Sequence, residues 1–480
     1  YLGNMDEQLY CEAMTDNAYT KQPNDFTQNI GNGSYSTADS YVKQVWDGRY
    51  TGIRMCNQLL ENIDRVPDLD PELKKRYIGE AKVLRAYNYY ELYTKFGDVP
   101  YTTKVLSIKE SMSIARTDRA TVIANMLADL DEVINGNYLP ASYDADNKGR
   151  ITRWAAMAIK AKIYLFEGNW TQVKNITSTI MTEGGFRLFG SYAGLFEIAN
   201  EYNSEVILDA QYRPTSREHQ MMYAFLPPSL GGYSQLSPLQ ELVDSYIMLD
   251  GKTIRETGTS FDESNPYANR DPRLKATVMY TGNSYTLADG TEVVINCEKG
   301  EGKDGYGVGS DCSATGYYIK KYWDNTYRAT LYSGLNPILI RYADILLMNA
   351  EALAELGELD KTAWDATIKP IRDRAGFTLA SAVEFPEGAS KDKLIEIVRN
   401  ERRSELALEG HRHKDIIRWR IADNVLNGWC HGLKTNDVVG TDDGYVRVEN
   451  RTFNANKHYL WPIPQAERDL NGNLEQNPNW

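Results

Sequence analysis

No apolar run in this chain approaches the roughly 20 residues that a helix needs to span a bilayer. Clustered basic charge is missing as well: 53 Lys and Arg face 66 Asp and Glu, for a net charge of -13. Nucleic-acid binding, which neutralises phosphates with grouped Lys and Arg, is thereby disfavoured, as is electrostatic attachment to anionic lipid. The five cysteines, Cys11, Cys56, Cys297, Cys312 and Cys430, form neither a CxxC pair nor a Cys/His cluster, which argues against structural zinc. Cys297 and Cys312 flank a Gly-rich loop, and their spacing leaves a disulfide and two free thiols equally open. There is no HExxH, GxSxG, P-loop or GxGxxG followed by a helix, so no cofactor is implied. Phe is scarce at 11, against 33 Tyr and nine Trp. Aromatics with a polar tip suit half-wet surfaces better than a sealed core.

Helical signals dominate both ends. Residues 41–64 and 72–96 read as long helices separated by Pro67 and Pro71, and 118–136 as another capped at Thr117 or Asp118. Residues 152–183 read as a helix–turn–helix that Thr152 caps and Gly168-Asn169 turns. The same grammar returns at 336–360: Ala161 precedes Gly168 by seven residues, as Ala350 precedes Gly357. An Ala-rich helix, a Gly turn and a second amphipathic helix make the unit of tetratricopeptide repeats. Between these parts, 185–335 is rich in Gly, Pro, Ser, Asn and Tyr, with β-leaning pieces at Glu205–Leu208, Thr291–Ile295 and Tyr317–Lys321 that predict small hairpins in long loops.

Two constellations have the composition of chemistry. Glu401, Glu405 and Glu409 recur at helical spacing and therefore predict one shared face, and paired carboxylates hydrolyse glycosides. Arg399, Arg402, Arg403 and Arg412 interleave with them, however, and ion-paired carboxylates make poor general acids, so a structural network is the reading. The network is expected to include Arg85 and the Arg372/Arg374 segment. Asp144-Ala145-Asp146-Asn147 opens like a calcium loop, but Lys148 and Ala155 occupy ligand positions, which leaves a turn before Thr152. The histidines include only an i, i+2 pair, His411 and His413, and predict no metal site. No catalytic residue is assigned.

What remains is aromatics among polar loops. The candidates are Asn17, Tyr19 and Phe26 with Tyr35, then Tyr223 and Tyr233 in MMYAFLPPSLGGY, and Trp323 with Tyr327. A pyranose has an apolar CH face that stacks on an aromatic ring, and a hydroxyl rim that amides and carboxylates can bond.

Several segments together resemble the SusD/RagB family. They are GEAKVLRAYNYYELYTKFGDVP (79–100), Asn-Arg-Asp-Pro-Arg-Leu (269–274), Tyr-Ile-Lys-Lys-Tyr-Trp (318–323), Ile340–Ala352, Ile371–Gly376, the Glu401–Arg418 helix and YLWPIPQAERDLNGNLEQNPNW (459–480). The resemblance implies one mainly α domain over 1–480. Its scaffold would hold about four tetratricopeptide-like helix pairs, over 41–184 and 336–480, and carry a loop-rich ligand-facing region at 185–335 with a few short β-hairpins. It also implies a lipid-anchored protein on the extracellular face of a Bacteroidetes outer membrane, which captures oligosaccharide or polysaccharide for a SusC-like TonB-dependent transporter. The anchor residue has no counterpart in this sequence, and Cys11 is not taken for it. Starch-binding relatives place Trp where this chain has Tyr19 and Phe26, which argues against starch. Two other readings stand beside glycan capture: a tetratricopeptide scaffold that binds proteins or takes up peptides, and a glycoside hydrolase built on the three glutamates.

Overall fold

A computed structural model describes residues 5–21, 26–327 and 330–480, and at Asp6, Phe26 and Tyr327 the backbone only. The helices begin and end where local chemistry tells them to. After α1 (Met5–Tyr10), α2 (Ser40–Asn62) starts at Asp39, whose carboxylate accepts from Tyr41 N at 3.0 Å. Asp70 and a first-turn proline start α3 (Pro71–Phe96), and Asp118 caps α4 (Arg119–Asn135) through Thr121 N at 2.9 Å. Thr152 caps α5 (Arg153–Phe166), Gly168 turns the chain at φ +67°, and Asn169 caps α6 (Trp170–Glu183). Each of these from α2 onward packs on its successor. Ala155, Ala158, Ala161 and Ile159 are all fully buried, because small residues on two faces let α5 sit between neighbours.

The short α7 (Met221–Phe225) and α8 (Gln240–Ser245) belong to the loop-rich part. The helical scaffold resumes with α9 (Tyr342–Leu356), which packs on α6 and ends at Gly357, φ +73°. Then come α10 (Ile368–Ala375), α11 (Lys391–Glu405), packed on α9, and α12 (Arg412–Arg418). This is a mainly α, tetratricopeptide-like fold.

The strands correct the expected hairpins. Strand β1 is Ala18–Thr20 and β2 is Val206–Asp209; β3 is Leu236–Pro238, β4 Val278–Met279, β5 Ser284–Thr286, β6 Glu292–Val294, β7 Tyr318–Ile319 and β8 Ile338–Arg341. Of the three β-leaning pieces, only β6 closes a local hairpin, with β5. Strand β2 pairs instead with β8, and β7 with β4, so these segments stitch distant parts together. A three-stranded antiparallel sheet, β9 (Gly428–Lys434), β10 (Thr441–Asp442) and β11 (Tyr445–Arg451), lies in the region expected to be helical. Its signal is Asp443-Gly444, both at positive φ, a two-residue hairpin turn between Asp442 and Tyr445.

Candidate functional site

Strand β1 runs antiparallel to β3, with Tyr19 opposite Ser237, and Lys21 N donates to the Gln235 carbonyl at 2.9 Å. This ladder fixes Tyr19 on β1, where its hydroxyl accepts from Gln28 Nε2 at 3.5 Å on the side of Glu449 and Cys430. Just before β3 the chain folds back over α7. Gly231 takes φ +86°, and a Cβ on Gly232 would lie 2.1 Å from the Leu226 carbonyl oxygen. Tyr233 N then donates to the Tyr223 carbonyl at 2.8 Å. Their rings stack with centroids 5.7 Å apart and planes 12° from parallel. Tyr332 meets Tyr223 edge-on at 6.3 Å. Tyr233 is 46% and Tyr332 37% exposed, so the cluster faces water although its backbone is fixed. Lys21 Nζ donates to the carbonyls of Ser310 and Cys312 (2.8 Å to the latter), and Asp304 Oδ1 accepts from Ser229 N at 2.8 Å. Those bonds hold the Gly-rich loop beside the tyrosines. Lys21, Asp304 and Tyr332 were not singled out from sequence; Tyr332 is one tyrosine among many, and only the fold brings it to Tyr223.

The other sequence candidates fare differently. Asn17 is 1% exposed and wholly committed: its Nδ2 donates to Glu12 at 2.9 Å and its Oδ1 accepts from Arg403 at 2.9 Å. It is a structural residue and not a ligand contact. Tyr19 sits half-buried on the outward side of β1, and burial raises its phenol to about 12. The Phe26 and Tyr327 side chains lie outside the described residues. Tyr35 is core, packed against Trp461 and Trp480. Trp323 anchors the β5–β6 hairpin: its Nε1 donates to the Thr286 carbonyl at 2.8 Å and its ring meets Tyr285 at 5.3 Å.

The acidic cluster is an interior ion network. Glu401 pairs with Arg273 and Arg372, each at 2.7 Å. Glu405 pairs with Arg273 at 2.9 Å, Arg341 at 2.6 Å and Arg374. Glu409 pairs with Arg341 at 2.7 Å and Lys321 at 2.6 Å. Burial alone would raise the Glu405 carboxyl, but the guanidiniums of Arg374, Arg341 and Arg273 hold it well below the usual range. Two details differ from expectation. Helix α11 ends at Glu405, and Leu408 at φ +63° turns Glu409 inward from beyond it. Arg85 takes no part; it bonds Asp129 at 2.7 Å and Asn57 at 2.9 Å, because α3 faces α4 there. Arg402 likewise pairs with Asp344 and Asp415 rather than with the glutamates.

All five cysteines are free thiols, which resolves the Cys297 and Cys312 alternative. Asp144 caps Asn147 N at 3.0 Å in a plain turn ahead of Thr152. Among the described residues no group of three or more His, Cys, Asp or Glu is placed to hold a metal, and no helix is long and apolar enough to cross a membrane. An interior chamber of about 100 Å³ lies under α1, where Lys95 and Lys414 share Glu91 at 2.6 and 2.9 Å.

A tetratricopeptide-type scaffold with Glu401, Glu405 and Glu409 locked inside and an aromatic cluster on its loops has the build of a binding protein. The chain belongs to the SusD family: the model of that family matches residues 195–480, and one described as starch-binding and associating with the outer membrane matches 3–165. It is similar to a SusD-like carbohydrate binding protein from Bacteroides fragilis NCTC 9343, at 29% identity and a TM-score of 0.87, covering 97% of this chain and 92% of that one. A second SusD-like structure from the same strain is 26% identical with a TM-score of 0.84, covering 100% of this chain and 94% of that one. A SusD-like protein of Formosa agariphila is 27% identical over 410 residues, 80% of this chain and 71% of the relative.

Proposed function

We propose that this protein captures oligosaccharide or polysaccharide at the outer face of the outer membrane and passes it to a SusC-like TonB-dependent transporter, without cleaving it. The observation that carries this reading is the exposed stack of Tyr223 and Tyr233 with Tyr332 at its edge, held by backbone bonds and not by burial. Such a platform matches the CH face of a pyranose. Tyr19 offers a further ring on β1, on the side of Glu449 and Cys430, and the Gly-rich loop that Lys21 holds supplies carbonyl and hydroxyl partners for the sugar rim. The family match and the carbohydrate-binding relative support the same ligand class. A lipid anchor preceding the folded part accounts for attachment, in keeping with the outer-membrane association of the family model over 3–165. Binding without turnover agrees with Glu401, Glu405 and Glu409 being buried and salt-bridged, which leaves them neither a proton to give nor access to a substrate.

Affinity electrophoresis against laminarin, amylopectin, xylan, mannan and arabinogalactan tests the reading. At least one polysaccharide retards the protein, and long incubation with it releases no reducing ends. Steady release that Glu405→Gln abolishes would overturn binding alone; retardation by none would overturn glycan capture.

A further inference from the structure

A second aromatic surface lies on the β9–β11 sheet, on residues that the tyrosine site does not use. Trp429 on β9 is 44% exposed, an unusual place for a tryptophan with no core to fill. One face of its indole is backed by the Arg447 guanidinium, 5.6 Å from the ring centroid. Arg447 Nε donates to Asp442 at 2.9 Å, and His431 Nε2 meets the same carboxylate at 3.0 Å. On its other side, His431 Nδ1 meets Glu241 of α8 at 2.8 Å, and its backbone N–H donates to that carboxylate at 3.0 Å. The relay Glu241–His431–Asp442–Arg447 therefore fixes an exposed ring from behind. Rigid presentation of a surface aromatic lowers the entropy cost of binding, and nothing in the fold otherwise requires it.

The open side of Trp429 lines a cleft of about 290 Å³, together with Asp244, Arg255, Asn424, Asn427 and Arg403. Arg403 is also a wall of a neighbouring cleft of about 510 Å³ that holds Trp419, Arg399, Asn400 and Glu396. The two clefts share Arg403 as a wall, and this paired trough holds one indole in each half. Trp419 is fixed too, through Nε1 on Glu351 at 2.6 Å and Arg399 4.8 Å over its ring. The walls favour one ligand chemistry. Around Trp429 the charges balance, Asp16, Glu241 and Asp244 against Arg255, Arg403 and Arg451, so a polyanion gains nothing. Besides the indoles, the apolar side chains are only Val425 and Cys430 in one cleft and Ile395 and Ile421 in the other, interrupted by amides, carboxylates and guanidiniums, which is too little for a lipid tail or an amphipathic helix. A neutral ring with one CH face and a rim of hydroxyls satisfies both the indole and its polar surround.

We propose that this trough is a second saccharide site, which takes a neutral oligosaccharide with one ring on Trp429 and later rings crossing Arg403 toward Trp419. The inference rests on the glycan-capture reading only for its ligand class. Two sites on one capture protein raise avidity for a long polysaccharide without any gain in either affinity.

The test is calorimetry with oligosaccharides cut from whichever polysaccharide of the electrophoresis panel retards the protein most. The wild type shows two sites. Trp429→Ala removes one, with a loss of about tenfold or more in its affinity, and the Tyr223→Ala/Tyr233→Ala variant removes the other. Trp429→Phe, which keeps a stacking face, retains both and shows that loss in Trp429→Ala is not misfolding. A single wild-type site that Trp429→Ala leaves unchanged overturns the second site while glycan capture stands. Retention of a peptide library at Trp429 with no saccharide there overturns its ligand class. Failure of every panel polysaccharide overturns both readings together.

Discussion

Arg341, the last residue of β8, meets Glu405, the last residue of α11, at 2.6 Å in the protein interior. Arg341 also bonds Glu205 at 2.7 Å and Glu409 at 2.7 Å, so one guanidinium ties the helical scaffold to the loop-rich half. Removing one partner of a buried pair strands the others without solvent. Glu405→Ala and Arg341→Ala should each cost about 3–5 kcal/mol, measured by urea unfolding. The double variant should cost less than the sum, because the two groups touch. Arg85→Ala combined with Glu405→Ala should be additive, since Arg85 is paired to Asp129.

The tyrosine cluster predicts the opposite profile. Tyr233→Ala and Tyr332→Ala should weaken glycan retardation by about 1–2 kcal/mol each while the melting temperature barely moves. Trp323→Ala should do the reverse, losing stability and keeping binding, because its indole serves the hairpin through Thr286.

Mild acid should destabilise the protein through its buried histidines. Burial pushes His411 and His413 down to about 3, with Lys162 and Lys95 beside them adding to the effect. An unfolded histidine titrates near pH 6.5, so the unfolded chain binds these protons first and stability is lost as pH falls below that point. Glu12 acts in the other sense: burial raises it to about 7, so its share is present in acid and lost as pH rises through 7. His219 and His458, pushed to about 4 by burial, offset Glu201 and Asp209, raised by burial to about 7 and 6. Two histidines against one glutamate leave a net loss of stability as the pH falls from about 6 to 5. His413→Gln should lessen it in unfolding titrations across that window.

Gly33 sits at φ +79°, and a Cβ there would lie 1.8 Å from the Thr452 carbonyl oxygen. Gly33→Ala should therefore cost about 2 kcal/mol or more, read as a lower melting temperature, since a backbone atom cannot rotate away.

Local chemistry was legible in the sequence and partner choice was not. Asp118 and Thr152 cap the helices that their neighbours predicted, because a cap acts within a few residues. Tyr223 and Tyr233 could be grouped in one segment because only nine residues, two of them glycines, separate them. The spacing of Glu401 and Glu405 placed both on one helix face, but it could not name Arg273, 132 residues from Glu405, over Arg85. Asn17 read as a loop amide because nothing nearby in sequence reveals that Arg403 would cover it. The Asp443-Gly444 turn is a local hairpin signal that the reading of 336–480 as helices and a closing segment passes over.

Arg451 of β11 donates to the carbonyls of Ala13, Thr15 and Ala18, at the start of β1. A chain is delivered N-terminus first, so this early segment has to wait for a much later one before it is fully seated. Strand β1 can pair with β3 once residue 238 has been made, but the carbonyls of Ala13, Thr15 and Ala18 wait for Arg451 through the whole of the second helical part. A product that stops short of residue 451 would leave those three carbonyls without their donor, and a protease could tell a finished molecule from an unfinished one by the segment from Ala13 to Ala18.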